Sequence, residues 1–205
     1  MLDHLVYAVP DLDAAIADIE VRWGVRATPG GQHVGRGTHN ALIALGGEAY
    51  LEIIAPDLAQ PEPPQPRSFG IDALTAPRLV TWAVKAPGIE GRVARAIAAG
   101  YDPGPARAMS RARPDGVLLS WKLTQRAEVA GDGLVPFLID WGATPHPSTT
   151  AAAGCALRGL RAEHPAPSVI GKMLAALEVE LPVTEGAAPA LIATIETPRG
   201  LLELR

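Results

Sequence analysis

The sequence predicts an α+β fold built by repeating one unit in the order strand, helix, strand, strand, strand. Three observations lead there. A short apolar strand at the N-terminus, Leu2 to Val9, runs straight into a capped helix. The same order of elements returns twice more, in copies of about 50–60 residues. Two strands of the first copy each carry one isolated ionisable side chain, His4 and Glu52, among β-formers. The copies share little residue identity, so the order of elements carries the repeat.

The first unit covers residues 1–55. Asp11 is a good N-cap, and Leu12, Ala15, Ile16, Ile19 and Trp23 recur at helical spacing. Gly24 is placed to end that helix. The glycine-rich stretch Thr28 to Thr38 reads as a loop or irregular hairpin. Asn40 to Leu45, the turn Gly46-Gly47 and Ala49 to Ile54 read as a hairpin. Residues 56–77 form a connector whose six prolines favour extended, polyproline-like chain.

The second unit, residues 78–141, opens on the strand Leu79 to Lys85. A helix over Ile89 to Ala99 follows, closed by Gly100. Tyr101 to Arg113 reads as irregular, and Pro114-Asp115-Gly116 as a turn. Val117 to Thr124 and Leu134 to Trp141 are strands. A linker over 142–153 leads to the third unit, residues 154–205. That unit holds a strand at Cys155 to Glu163 and a helix at Val169 to Leu177 capped by Ser168. Strands at Glu178 to Val183, Ala190 to Glu196 and Leu201 to Leu204 complete it.

Composition excludes several function classes. The 205 residues are 48% hydrophobic, ample for a packed core. Eighteen basic residues stand against 22 acidic ones with no Lys/Arg cluster, which argues against a nucleic-acid partner. A single cysteine, Cys155, allows neither an intrachain disulfide nor a cysteine zinc site and fits a reducing cytoplasm. No apolar stretch reaches about 18 residues, so no membrane span is expected. The N-terminus lacks the basic-then-apolar pattern of a signal peptide. Glycines 30, 31, 35 and 37 do not precede a helix, which discounts a phosphate loop.

Strand alternation puts Tyr50, Glu52 and Ile54 on one face and Leu51 and Ile53 on the other. A carboxylate in that setting is either buried and paired or faces a cavity, because burial without a partner costs several kcal/mol. His4 is compatible with a hydrogen-bonded structural histidine, with a pocket-lining base or donor, and with a metal ligand. His39-Asn40 reads either as a turn pair satisfying local backbone or as part of a site. His33 reads as exposed. Arg111 and Arg113 read as a solvated hairpin tip, or as a cation that holds a carboxylate or phosphate. Trp82 shares parity with Leu5 and Tyr7 and reads as core.

Asp3-His4 through Val9-Pro10-Asp11-Leu12, Gly37-Thr38-His39-Asn40, Tyr50-Leu51-Glu52-Ile53, Arg113-Pro114-Asp115-Gly116, Pro136 to Trp141 and Pro198-Arg199-Gly200 follow one another in a recognisable order. In that order the chain resembles the vicinal-oxygen-chelate superfamily of glyoxalases, bleomycin-resistance proteins and ring-cleaving dioxygenases, and most closely its glyoxalase-like branch. The resemblance implies mixed sheets curled around a cup, with helices outside. It implies four metal-ligand positions, at the first and last strands of two units. His4 and Glu52 match the first pair. The second pair falls on Leu79, which cannot ligate, and at or near Asp140, with Ser120 as the alternative. His4, Glu52 and Asp140 would then leave an impoverished site for a divalent metal. Weak or absent metal binding is the expectation.

The candidate catalytic residues are thus His4 and Glu52. The candidate substrate-binding residues are His39, Asn40, Arg113, Trp121 and Asp140, with Trp141 also a candidate for the cup lining. The resemblance implies a protein that holds a small oxygenated metabolite, either as a lyase, isomerase or dioxygenase-type enzyme or as a sequestering protein without chemistry. The apolar strand Leu191, Ala193, Ile195 of the third unit needs a cover. It is expected either on the first two units or, preferentially, in a homodimer.

Overall fold

The computed structural model describes residues 1–113, 115–126 and 129–205. Pro114 of the expected Pro-Asp-Gly turn lies outside the described residues. Among the described residues, twelve strands form two sheets, accompanied by three α-helices. The first unit comprises β1 (Leu2–Ala8), α1 (Leu12–Trp23), β2 (Thr28–His33), β3 (Thr38–Ala44) and β4 (Tyr50–Pro56). The second comprises β5 (Arg78–Lys85), α2 (Ile89–Ala98), β6 (Ala106–Ala112), β7 (Leu118–Thr124) and β8 (Phe137–Asp140). Together their strands form one eight-stranded mixed sheet in the order β2-β3-β4-β1-β5-β8-β7-β6. Within each unit the first strand pairs in parallel with the last, and β1 meets β5 antiparallel at the centre. The outer strands β2 and β6 approach each other, which curls the sheet into a nearly closed cup.

Local chemistry explains why α1 stands where it does. The Asp11 carboxylate accepts from the Ala14 amide at 2.9 Å, and Gly24 ends the helix in the left-handed region at φ 79. Leu12, Ile16, Ile19 and Trp23 face inward. They join an apolar cluster that runs from Leu5 and Trp82 in the central strands to Ile89 of α2. Trp82 is core, and its indole donates to the Leu134 carbonyl at 2.9 Å.

Two stretches expected to be irregular are strands. β2 and β6 are poor in β-formers but are held by full antiparallel registers on β3 and β7. The proline-rich connector contains a 3-10 segment over Ser68–Ala73 and folds across the cup as a wall. Arg67 pins it there. Its Nε donates to the Gly37 carbonyl at 2.7 Å, and its guanidinium pairs with Asp72 at 2.7 Å and Glu62 at 2.9 Å.

The third segment contains β9 (Ala156–His164), α3 (Pro167–Ala176), β10 (Val183–Glu185), β11 (Ala190–Thr197) and β12 (Gly200–Leu204). Ala166, not Ser168, stands at the N-cap of α3, and the strand expected from Glu178 forms only at Val183. The order of elements repeats that of the first two units, but the pairing does not. The sheet runs β10-β9-β11-β12, with the first strand in the interior and paired to β10 rather than to the last strand. This sheet packs on its own chain. Leu191, Ala193 and Ile195 of β11 are buried in the cluster that holds Trp82. The Leu157 amide donates to the Leu45 carbonyl, and the Leu79 amide to that of Arg205, each at 2.8 Å. The uncovered apolar face that motivated pairing between copies is therefore covered within the chain. No helix is long and apolar enough to cross a membrane among the described residues.

Candidate functional site

The cup encloses about 870 Å³, within the usual range for a small-molecule site. Its floor is made by alternate residues of β1 and β4. Alternation sends His4, Tyr50, Glu52 and Ile54 into the cup and Leu5, Leu51 and Ile53 into the core behind it. His4 and Glu52 meet there, with Nε2 of the imidazole 3.7 Å from Oε2 of the carboxylate.

His4 is held on three sides. Its Nδ1 lies 2.7 Å from Oδ1 of Asp3, Tyr50 stacks on its ring at 4.7 Å, and Phe137 meets it edge-on at 5.4 Å. Asp3 is fully buried. Its other oxygen accepts from the Trp141 indole and from His146 Nε2, each at 3.0 Å. Burial raises the Asp3 pKa, but the hydrogen bonds and charges of His146 and His4 outweigh it and hold the carboxyl well below its ordinary range. An ionised carboxylate only accepts, so Nδ1 of His4 carries its proton. The Nε2 edge is thereby presented to the cup and to Glu52.

Glu52 has its own supports. Oε1 accepts from Asn40 Nδ2 at 2.5 Å, and His33 Nε2 lies 3.8 Å away. The carboxamide of Asn40 is oriented without ambiguity, because its oxygen accepts from Nη1 of Arg111 at 2.8 Å. Gly30 makes room for that contact. A methyl group at Gly30 would overlap both Asn40 Oδ1 and Arg111 Nη1. Burial pushes the His33 pKa down from 6.5 to about 4, with Glu52 opposing and Arg111 adding to the shift. His33 is thus neutral at pH 7. Its Nδ1 donates to Thr38 Oγ1 at 3.0 Å, and its Nε2 lone pair faces the Asn40 amide.

The His33 shift has a measurable consequence. The unfolded chain takes up this proton below about pH 6.5 and the folded chain only below about pH 4. Unfolding free energy should therefore rise with pH across that window, by at most about 3 kcal/mol. Urea titrations from pH 4 to 7 should show the rise in the wild type and a flatter profile in His33→Gln. An unchanged slope in His33→Gln would refute the assignment.

Several candidates stand elsewhere. His39 alternates with Thr38 and Asn40 and leaves the cup lining. Arg113 pairs with Asp115 at 2.6 Å outside the cup, while Arg111, two residues earlier on β6, is buried in its wall. Asp140 has the wrong parity for the cup. It accepts from the Gly88 and Gly142 amides, each at 2.9 Å, and so ties the residue before α2 to the end of β8. Trp121 and Trp141 both line the cup, 5.1 Å apart. The residues missed in the sequence are Asp3, His33, His146 and the connector wall, while Arg111, read either as a hairpin tip or as a cation for an anionic ligand, lies buried in the cup wall. For Arg111 a signal existed: once 106–112 is a strand, Met109 and Arg111 share one face.

The local two-fold axis also corrects the ligand positions of the second unit. Leu5 pairs with Trp82 at the centre of the β1/β5 contact, so the axis carries His4 onto Thr81 and Val6 onto Ala83. Val6 is in register with Glu52 and Ala83 with Phe137, so Phe137 stands where Glu52 does. Leu79 packs in the core behind the sheet. The four positions are thus His4, Glu52, Thr81 and Phe137. A hydroxyl and a phenyl ring replace two strong donors, and Phe137 packs on the His4 ring. No three His, Cys, Asp or Glu side chains cluster to hold a metal among the described residues. This donor set does not fit a metal centre held by three or four side chains.

Residues 2–178 match the family described as glyoxalase-like domain. The chain belongs to that family. The match agrees with the glyoxalase-like branch that the motif order resembles. The comparison with curated proteins found no match. A hypothetical protein from Staphylococcus aureus is similar in structure, with a TM-score of 0.69 at 12% identity, covering 100% of this chain and 98% of its own. That likeness extends the shared fold through the third segment. Methylmalonyl-CoA epimerase from Mycobacterium tuberculosis has a TM-score of 0.46 at 18% identity, covering 70% of this chain and 88% of its own. The Streptomyces coelicolor methylmalonyl-CoA epimerase in complex with 2-nitronate-propionyl-CoA has 0.47 at 17%, covering 72% and 98%.

Proposed function

We propose that this glyoxalase-like protein binds a small oxygenated metabolite in its cup and moves a proton on it, as a lyase or isomerase does. One observation carries the reading. Asp3 fixes the His4 tautomer so that Nε2 faces Glu52 Oε2 across 3.7 Å inside a cavity. Glu52 is the base that removes a proton from a carbon beside a carbonyl. His4 Nε2, whose lone pair this tautomer turns toward Glu52, accepts a hydrogen bond from the carboxyl once it holds the proton, and the proton then returns from Glu52 to carbon. Asn40 orients the base, and Tyr50 and Phe137 hold the imidazole plane.

The test is solvent exchange. A panel of three- to nine-carbon 2-oxo and 2-hydroxy acids is incubated with protein in D₂O and followed by proton NMR. At least one member should exchange the hydrogen beside its carbonyl above the buffer rate. Glu52→Gln should slow that exchange by at least about 100-fold. A second reading, a sequestering protein without chemistry, is favoured by Thr81 and Phe137 at two of the four family positions. Binding without exchange, unchanged in Glu52→Gln, would establish that reading and overturn the first.

A further inference from the structure

The geometry assigns a carboxylate-binding subsite to Arg111 and points to an amphipathic monocarboxylate as the ligand of the cup. The inference rests on the proposal that the cup is the binding site, and it adds the class of molecule held there. Arg111 is 4% exposed, yet no Asp or Glu side chain lies within 4 Å of its guanidinium among the described residues. Its one side-chain hydrogen bond among the described residues, through Nη1, goes to the neutral oxygen of Asn40. Among the described residues no fully buried side-chain nitrogen is without a partner, so its other donors face the cup. A buried cation is normally paired, and a ligand anion is the partner that completes this one.

Asn40 acts as a spacer. Its amide bridges Arg111 and Glu52, with its oxygen on the cation and its nitrogen on the carboxylate. A direct Arg111–Glu52 pair would cancel both charges. The bridge keeps the cation available to the ligand and the carboxylate available to chemistry. Glu52 is the sole carboxylate among the described residues that line the cup. It sits close enough to Arg111 to disfavour a dianion such as a phosphate monoester, whereas a single carboxylate matches one guanidinium. Phe69, Met109, Trp121, Leu123, Phe137 and Ile139 give the wall a large apolar stretch, which favours a hydrocarbon or aromatic body behind the acid.

The experiment compares 3-phenylpropionate with 3-phenylpropanol and with phenyl phosphate, titrated into the full chain and followed by the indole N–H signals in NMR. The acid should bind at least tenfold more tightly than the alcohol and more tightly than the phosphate, shifting the Trp121 and Trp141 signals. Arg111→Met should remove the acid–alcohol difference. Arg113→Met, outside the cup, should leave it intact. Equal binding of acid and alcohol to the wild type, a preference for the phosphate, or a difference that survives in Arg111→Met would each overturn the assignment. The wild-type comparison needs no variant to fold. 3-Phenylpropionate has no ketone or aldehyde carbonyl to acidify a neighbouring hydrogen, so selective binding without exchange on the oxo-acid panel would sink the catalytic reading alone. Exchange without acid selectivity would sink this one alone.

Discussion

Asp3→Ala is expected to lower the free energy of unfolding by about 3–5 kcal/mol, the usual cost of removing one partner from a buried charged network. The carboxylate is fully buried and accepts from three side chains, those of His4, Trp141 and His146. Those groups come from β1, from the end of β8 and from the linker that follows, so the loss is tertiary rather than local. With alanine there, an indole N–H and two imidazole N–H groups lose their acceptor in a site closed to water. Asp3→Asn should cost less than the alanine variant, because its carbonyl still serves one donor while its amide faces another.

The same network sets an acid dependence. The folded-state pKa of Asp3 is depressed, so its contribution is fully present above the unfolded value of about 3.9. It is lost as the pH falls below that value toward the folded one. Urea titrations at pH 7 and pH 3 should therefore show a smaller difference between wild type and Asp3→Ala at the lower pH. A penalty under about 1 kcal/mol at pH 7 would mean that the network does not hold the cup floor.

Gly133→Ala should cost about 3–4 kcal/mol for a different reason. Gly133 has φ 92, where an L side chain is strained by about 1–2 kcal/mol. A methyl group there would also run into the backbone carbonyl of Val80, which cannot swing aside as a side chain can. The segment Ala130–Leu134 would have to lift off β5 and take with it the bond from the Trp82 indole to the Leu134 carbonyl. Gly142 isolates the two contributions. It also has positive φ, but a methyl group there meets nothing within 4 Å. Gly142→Ala should cost only about 1–2 kcal/mol, the conformational part. Equal penalties at the two positions in urea unfolding would show that the close approach to Val80 carries no weight.

These effects show where local pattern stops being informative. α1 could be read completely, since its cap, its periodic apolar face and its terminating glycine all lie within fourteen consecutive residues. The facing of β4 and the core role of Trp82 could be read from strand parity, because parity is a property of one strand. β2 and β6 could not. Their sequences, TPGGQH and ARAMSRA, hold few β-formers, and their order comes from neighbours across the sheet. Missing β6 left Arg111 between a hairpin tip and a ligand-holding cation, and missing β2 made His33 read as exposed.

The sequence by itself determined that His4 and Glu52 lie on strands, and that Glu52 shares a face with Tyr50 and Ile54. Only the tertiary structure decided what those faces meet. It placed Thr81 and Phe137, rather than Leu79 and Asp140, at the matching positions, because the registers of β1 on β5 and of β5 on β8 are set between strands and no single strand encodes them. It brought Asp3 to His146 and Arg111 to Asn40 across 143 and 71 residues of chain. It also laid the C-terminal sheet on its own chain, since an apolar face states that it must be covered but not by which surface.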